Sequence, residues 1–277
     1  MNRVTIETIR GYKNLKKSFA TITAYDFTSA SLVDNAGIPL ILVGDSASMV
    51  IYGHDTTIPV TMDEMIFLVK SVARGSKKAL IVADMPFMSY QVSAENAILN
   101  AGRFIKEANA HAVKLEGGKK SAKTISKIVS AGIPVMAHIG LTPQSFHQMS
   151  GYKVQGKNKA DAKKLIEDAI AIEKAGAFSV VLEGIPAELA KIVTKSISIP
   201  TIGIGAGPFC DGQIQVFHDI LGMFDTFVPK HTKQYLNLSQ DISSALSTYR
   251  TEVEAKIFPE SNHSAHIDKN IIKSLSS

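Results

Sequence analysis

Acidic residues stand at the ends of several short apolar runs in this sequence. These residues are Asp45, Asp84, Glu116 and Glu183. Four carboxylates gathered at one end of a set of parallel strands would repel one another strongly unless a cation lay among them. Oxygen ligands without cysteine, and with few histidines, favour a hard ion such as Mg²⁺. The pattern therefore predicts a magnesium site that keeps positions open for substrate oxygens.

Such a site suits enolate chemistry. An α-keto acid would fill two open positions on the ion, which would act as a Lewis acid and stabilise the enolate formed when the carbon beside the ketone loses a proton. A carboxylate outside the ligand sphere is the natural general base, because crowding by like charge raises its pKa toward a useful value. The residue types alone do not select which of the four carboxylates is the base.

Two further polar residues, Lys114 and His138, lie at or near run ends. Lys114 is predicted to pair with a substrate carboxylate, and the alternative is a salt bridge with Glu116 on the same strand. Any single polar residue at a strand end can instead simply cap the next helix or turn.

The runs that must position these side chains are rich in Val, Ile and Leu and show no alternation with polar residues. They span residues 20–24, 40–43, 80–83, 112–115, 134–137, 179–182, 201–204 and 226–228. This composition is typical of strands that are buried on both faces.

Helical patterns fill the gaps between the runs. Residues 61–64, Thr-Met-Asp-Glu, form a capping box, and residues 93–96 and 161–175 begin or contain further helices. The repeated strand and helix predict a (β/α)8 barrel, with a doubly wound open sheet as the alternative. We expect one catalytic domain over residues 1–261, with a short extra helix at 5–12, and a polar tail over 262–277.

The composition excludes several classes of protein. With 277 residues, 45% of them hydrophobic and 20% charged, the chain is globular rather than disordered. Its one cysteine, Cys210, excludes a disulfide scaffold and indicates a reducing compartment. The net charge is +5, but the basic residues occur at most in pairs, so no nucleic-acid partner is expected. Since no apolar run approaches the ~20 residues of a membrane span, we expect a cytoplasmic protein without a membrane partner.

Seven sequence blocks, in order and with compatible spacing, resemble the motif series of the ketopantoate hydroxymethyltransferase family. They are Gly44-Asp45-Ser46, Gly53-His54-Asp55, Ala83-Asp84-Met85-Pro86-Phe87, Val113-Lys114-Leu115-Glu116-Gly117-Gly118, Gly140-Leu141-Thr142-Pro143-Gln144-Ser145, Gly151-Tyr152-Lys153-Val154-Gln155-Gly156 and Ile202-Gly203-Ile204-Gly205-Ala206-Gly207. The blocks lie between residues 44 and 207, and the resemblance as a whole runs from about residue 10 to about residue 263. An ordered series of this kind is far more specific than a single glycine motif.

The resemblance implies a barrel of the phosphoenolpyruvate mutase and isocitrate lyase type. It also implies transfer of a hydroxymethyl group from 5,10-methylenetetrahydrofolate to 3-methyl-2-oxobutanoate, which gives 2-dehydropantoate for pantothenate synthesis. The implied cofactor is Mg²⁺, with the folate as co-substrate, and the implied assembly is a homodecamer of two stacked pentamers. The long loops 47–59 and 141–159 suit a lid or a subunit contact and are expected to help hold the folate.

The resemblance also assigns roles to residues of this sequence. Asp45, Asp84 and Glu116 correspond to the Mg²⁺ ligands, and Glu183 corresponds to the proton acceptor. The keto acid would contact Asp45, Ser46, Asp84 and Lys114. His138 is expected to orient the substrate or a ligand, and its alternative is a buried histidine satisfied by a backbone carbonyl.

Two rival functions stay open at this point. One is a magnesium-dependent barrel enzyme of the phosphoenolpyruvate mutase and isocitrate lyase type, which usually carries a catalytic cysteine in a flexible loop. Cys210 is a poor candidate for that thiol. The other rival is a non-catalytic barrel that binds an anionic metabolite or RNA.

Overall fold

Eight parallel strands form a closed barrel in the computed structural model, which describes residues 3–149, 151–224 and 228–275. The strands are β1 (Phe19–Thr23), β2 (Leu40–Val43), β3 (Leu80–Asp84), β4 (Ala112–Glu116), β5 (Val135–Gly140), β6 (Ser179–Glu183), β7 (Thr201–Ile204) and β8 (Gly212–Gln215). Each strand pairs with the next along the chain, and β8 closes the barrel against β1. The predicted (β/α)8 barrel is confirmed, and the alternative of an open sheet is wrong.

Helices surround the barrel and cover its N-terminal end. They are α1 (Ile6–Asn14), α2 (Phe27–Asn35), α3 (Ala47–Val50), α4 (Met62–Gly75), α5 (Ala94–Ala108), α6 (Ala122–Ser130), α7 (Phe146–Met149), α8 (Lys159–Lys174), α9 (Ala187–Ser196), α10 (Phe217–Ile220), α11 (Leu238–Glu254) and α12 (Lys269–Leu275). Short 3₁₀ turns occupy Lys119–Ser121, Pro143–Ser145 and Ser261–His263. No helix in the described ranges combines the length and apolar character that crossing a bilayer needs.

Local sequence signals set the ends of several helices. The predicted capping box is present at α4, where the Thr61 hydroxyl accepts from the Glu64 backbone and the Glu64 carboxylate accepts from the Thr61 backbone. At its C-terminal end, α5 is followed by Asn109 in the left-handed conformation, with φ 58°. Asparagine tolerates this conformation better than most residues, which is why it can replace glycine at a helix C-terminus. The extra N-terminal helix is α1, capped by Thr5.

The eighth strand lies elsewhere than the sequence predicted. Of the predicted strand 226–228, residues 226 and 227 lie outside the described residues, and Val228 belongs to no strand. The barrel is instead closed by β8, in which Gln213 is exposed while Ile214 is buried. A strand with one exposed face alternates polar and apolar residues, so it contains no continuous apolar run to detect.

Two apolar clusters hold the barrel together. One lies between the strands and the surrounding helices. The other, the barrel-interior cluster, consists of Ile9, Phe19, Leu40, Leu42, Leu80, Val82, Ala112, Met136, Phe178, Val181, Ile202 and Ile214. Because side chains alternate between the two faces of a strand, a residue two positions after a member of this cluster also points into the barrel.

That alternation directs the predicted polar residues toward the barrel axis. Asp84 follows Val82 by two positions on β3, and the same step separates Lys114 from Ala112, His138 from Met136 and Glu183 from Val181. The inward-facing side chains of these strands are therefore apolar toward the N-terminal end of the barrel and polar at its C-terminal end. In barrels of this kind, the C-terminal end is where active sites lie.

The C-terminal segment differs from the barrel in its packing. Every residue of α11 is partly or fully exposed, and the described residues of the predicted polar tail, 262–275, are all exposed. The tail nevertheless contains α12. The division into a catalytic domain and a tail stays a prediction.

Candidate active site

A cluster of charged side chains lies at the C-terminal mouth of the barrel. Asp45, Asp84, Lys114, Glu116 and His138 are each at most 5% exposed. Glu183 is more open, with 18% of its side chain exposed. Burying so many ionisable groups costs free energy unless they are paired, so their partners determine what the cluster can do.

Asp84 and Lys114 form the central ion pair. They face each other in the register of β3 and β4, and Lys114 Nζ lies 2.9 and 2.7 Å from the two Asp84 carboxylate oxygens. Asp84 Oδ2 also accepts from the backbone N–H of Asp45 at 3.3 Å. The ammonium group therefore pairs with Asp84, and the alternative of a simple salt bridge between Lys114 and Glu116 is wrong.

The pKa values of Asp84, Lys114 and Glu116 are all raised. Burial raises the pKa of Asp84, opposed by Lys114 and assisted by the negative charge of Asp45. The pKa of Lys114 is raised although burial disfavours its charge, because Asp84, Asp45 and Glu116 surround it. Burial also raises the pKa of Glu116. An additional positive charge would be stabilised here.

His138 lies between two carboxylates. Its Nδ1 is 3.5 Å from Glu116 Oε1, and its Nε2 is 3.2 Å from Glu183 Oε2. Burial and Lys114 oppose its protonation, but Glu116 and Glu183 raise the pKa of His138 to about 9. Neither ring nitrogen forms a hydrogen bond of good geometry within the described chain. The alternative of a histidine satisfied by a backbone carbonyl is therefore wrong, and the contacts with the carboxylates are ionic.

Ser46 is held by a residue that the sequence analysis did not select. The Ser46 hydroxyl lies 2.8 Å from the hydroxyl of Tyr25, which is buried just after β1. Burial raises the pKa of Tyr25, so the phenol stays neutral and can donate or accept this hydrogen bond. The contact holds Ser46, which follows Asp45 in the sequence, at the start of α3.

The amide of Gln144 joins two of the carboxylates and was also missed by residue-type reasoning. Its Nε2 donates to Asp45 Oδ2 at 2.8 Å, and its backbone N–H donates to Glu116 Oε2 at 3.1 Å. The only sequence signal was its position in the block 140–145, which contributed to the resemblance without a role of its own.

The donor set fits a magnesium ion that shares its coordination with water and substrate. Among the described residues, no three His, Cys, Asp or Glu side chains form a ready-made metal centre. Mg²⁺ is usually bound through one or two carboxylates and keeps several waters, so it does not need such a cage. Glu116 Oε1 is buried and has no hydrogen-bond partner in the described chain. Four carboxylates also exceed the charge that Lys114 and His138 can balance.

Cys210 lies away from this cluster. It precedes β8 and hydrogen-bonds with Thr201, the first residue of β7, so it lies toward the N-terminal end of the barrel. Burial raises the pKa of its thiol to about 11. A neutral, buried thiol is a poor nucleophile, which weakens the rival that needs a catalytic cysteine.

Solved structures share the fold at low sequence identity. A phosphonopyruvate hydrolase in complex with oxalate and Mg²⁺ superimposes with a TM-score of 0.62 at 13% identity, covering 100% of this chain and 95% of its own. A 2,3-dimethylmalate lyase, described as a member of the phosphoenolpyruvate mutase and isocitrate lyase superfamily, gives 0.61 at 15% identity, with coverage of 100% and 95%. These likenesses confirm the predicted type of barrel.

Sequence comparison is more specific. The 3-methyl-2-oxobutanoate hydroxymethyltransferase of Dehalococcoides mccartyi (strain CBDB1) is 58% identical over 273 residues, which cover 99% of this chain and 98% of the relative. The enzyme of the same name from Clostridium beijerinckii is 56% identical over 271 residues, with 98% of each chain covered. The sequence profile of ketopantoate hydroxymethyltransferase matches residues 3–261. The chain therefore belongs to the ketopantoate hydroxymethyltransferase family.

Proposed function

We propose that this transferase moves a hydroxymethyl group from 5,10-methylenetetrahydrofolate to 3-methyl-2-oxobutanoate and produces 2-dehydropantoate. The family and the names of the relatives support the acceptor, and with it a role at the first step of pantothenate synthesis. The folate donor and the enolate mechanism are the proposed part. The observation that carries the mechanism is the buried cluster of four carboxylates around Lys114 at the barrel mouth.

Glu183 is the proposed proton acceptor because it is the most accessible of the four carboxylates. Its side chain is 18% exposed, against 4% for Glu116 and 1% for Asp84. His138 lies against one oxygen of Glu183 and holds the carboxylate at the mouth. A carboxylate that is this accessible can reach a substrate in the mouth, which suits it to act as a base.

The proposed chemistry breaks the C–H bond beside the ketone. Glu183 takes the proton, and the electron pair stays on the substrate as an enolate. Water hydrolyses the methylene bridge of the folate: its two C–N bonds break, the two water protons go to the nitrogens, and tetrahydrofolate leaves the one-carbon unit as formaldehyde. The enolate carbon then forms a bond to the carbon of formaldehyde, and the resulting alkoxide takes the proton back from Glu183. Lys114 would attract the keto-acid carboxylate, with Asp45, Ser46 and Asp84 completing the substrate contacts.

Asp45, Asp84 and Glu116 are the residues proposed to hold Mg²⁺. When bound there, the ion supplies Lewis-acid stabilisation of the negative charge that develops on the substrate. Glu116 Oε1, which accepts no hydrogen bond among the described residues, and the surplus negative charge of the cluster support this assignment.

Loops 47–59 and 141–159 are proposed to help hold the folate. They meet at the mouth, where the Tyr152 hydroxyl lies 3.9 Å from Met49 Sδ. Met49, Tyr152 and Val154 are exposed there, and they offer apolar surface to a flat ligand.

A homodecamer in the cytoplasm completes the proposal. The α11 stripe, formed by Ile242, Leu246, Tyr249 and Val253, is 42–63% exposed along one helix. An apolar stripe at this spacing favours packing against another surface. Light scattering is expected to report a large homo-oligomer, and a monomer mass would contradict it.

The proposed reaction is tested by product formation. Protein loaded with Mg²⁺ is mixed with 3-methyl-2-oxobutanoate and 5,10-methylenetetrahydrofolate, and 2-dehydropantoate is measured. We expect product only when both substrates are present. Folded, metal-loaded protein that forms none would contradict the proposal, and strong salt-dependent RNA binding instead would favour a binding protein.

A further inference from the structure

Gln144 lies in the 3₁₀ turn that follows β5, and all the hydrogen-bonding capacity of its buried side-chain amide is used. Its Nε2 donates to Asp45 Oδ2 at 2.8 Å and to the backbone carbonyl of Met85 at 2.9 Å. Its Oε1 accepts from the Tyr90 hydroxyl at 2.7 Å and from Gln91 Nε2 at 3.1 Å. An amide has two donor hydrogens and two acceptor lone pairs, so every one is engaged.

Tyr90 fixes the direction of this amide. The Tyr90 oxygen accepts from the backbone N–H of Glu116 at 3.1 Å, and its single proton is therefore given to Gln144 Oε1. A flipped amide would turn Oε1 toward the Asp45 carboxylate and the Met85 carbonyl, where acceptor would meet acceptor. The phenol thus ensures that the NH₂ group faces Asp45.

The same residue also restrains Glu116, through its main chain. The backbone N–H of Gln144 donates to Glu116 Oε2 at 3.1 Å, so one residue holds one oxygen from each of two carboxylates. The other oxygen of Glu116, Oε1, is buried and accepts no hydrogen bond among the described residues, and its contact is the ionic one with the His138 ring at 3.5 Å. Since the amide is neutral, it orients the carboxylates without cancelling their charge, which a lysine at this place would do.

We propose that Gln144, oriented by Tyr90, is a positioning residue that determines which oxygens of Asp45 and Glu116 remain available to a divalent cation. The inference rests on the proposed magnesium site and goes beyond it, because neither residue is a ligand or touches the reacting atoms. Partners that orient metal ligands typically contribute 10- to 100-fold to metal affinity.

The competing explanation is that Gln144 only anchors its loop through the bond to Met85. That role predicts a less stable protein whose folded fraction binds metal normally. The positioning role predicts weaker metal binding by protein that is folded, so metal affinity separates the two explanations while activity alone does not.

The test measures Mn²⁺ binding, as a paramagnetic substitute for Mg²⁺, from the electron paramagnetic resonance signal of the free ion. The variants are Gln144→Met, which keeps the length of the side chain, and Tyr90→Phe, which removes one oxygen. We expect the Kd for Mn²⁺ to rise about 10- to 100-fold in Gln144→Met and by less in Tyr90→Phe. Gln213→Met is the matched control, because the Gln213 amide donates to the Gly207 carbonyl on an exposed face of β8.

Each outcome has one meaning. Folded variants, checked by circular dichroism, that bind Mn²⁺ with the wild-type Kd would overturn the positioning role and leave the proposed function intact. Wild-type protein that binds no Mn²⁺ would remove the proposed metal site itself, and this inference with it. If Gln144→Met does not fold, Tyr90→Phe decides: wild-type affinity overturns the proposal, and weaker binding supports it.

Discussion

Asp34 and Asp84 are both almost fully buried, at 5% and 1% exposed, yet their environments shift the pKa values of their carboxyl groups in opposite directions. Asp34 lies near the N-terminal end of β3 and accepts from the Ser76 hydroxyl and from three successive backbone N–H groups at 2.7–3.1 Å. Burial would raise its pKa, but these bonds, led by the one from Ala79, lower the pKa of Asp34. At the other end of the strand, burial raises the pKa of Asp84.

The difference separates a structural carboxylate from one that is poised for a ligand. The negative charge of Asp34 is satisfied by neutral donors, so Asp34 stabilises the fold without a further partner. Asp84 shares one ammonium group with neighbouring carboxylates, so its cluster gains from an added cation. The two ends of the barrel interior differ as well. The inward-facing side chain of Met136 belongs to the apolar cluster, and that of His138, two residues later on β5, belongs to the charged cluster at the mouth.

The largest loss of activity is expected from a change in the charged cluster at the C-terminal mouth of the barrel. Replacing Glu183→Gln removes the proposed base while preserving the shape of the side chain. General-base catalysis typically contributes about 10²- to 10⁴-fold, so kcat should fall by roughly 10³-fold. The keto-acid Kd, measured by calorimetry, should stay nearly unchanged. Wild-type turnover in this variant would reject the assigned base.

A change in the apolar barrel-interior cluster is expected to lower stability and to leave activity nearly unchanged. Met136→Ala opens a cavity in the barrel-interior cluster, one inward position before His138. Such truncations usually cost about 2–5 kcal/mol of unfolding free energy. Urea denaturation should detect this loss, while kcat below the unfolding transition stays within a few-fold of wild type. A large loss of kcat in fully folded protein would show that the two ends are not separable in this way.

Asp84→Asn tests whether the buried carboxylate of Asp84 is a metal ligand. Removing this charge should weaken Mg²⁺ binding and turnover together, by at least the roughly 10- to 100-fold that is typical for residues that only orient metal ligands. Asp63→Asn is a matched control, because Asp63 forms an exposed ion pair with Arg103 outside the mouth. If metal affinity is unaltered in Asp84→Asn, the assignment of Asp84 as a ligand is wrong.

The smallest effect concerns Asp34 and depends on pH. Its folded-state pKa is lowered, so its charged form stabilises the protein at pH values above the unfolded pKa of ~4. That contribution is lost as the pH falls through the folded pKa. Asp34→Asn should therefore be less stable than wild type at pH 7, by about 1–3 kcal/mol, and the gap should close under acidic conditions. A gap that does not change between pH 7 and pH 3 would contradict the role of the charge.

The sequence predicted the features that depend on local pattern. Continuous apolar runs indicated strands such as β3 and β6, and strand ends in a parallel barrel meet at one mouth, so the convergence of Asp84 and Glu183 followed. The strand β8 was missed because one of its faces is exposed and its residues alternate. Gln144 and Asp45 are 99 residues apart. No local pattern encodes that hydrogen bond, nor the choice of Asp84 as the partner of Lys114.

The central claim is that Glu183 removes a proton from the keto acid beside a bound cation. Its most direct test is exchange of the C3 proton of 3-methyl-2-oxobutanoate in D₂O, followed by NMR with Mg²⁺ present and folate omitted. We predict that the wild-type protein catalyses this exchange, that chelation of the metal stops it, and that Glu183→Gln does not support it. Exchange at the wild-type rate in Glu183→Gln, or exchange that persists after the metal is removed, would contradict the account.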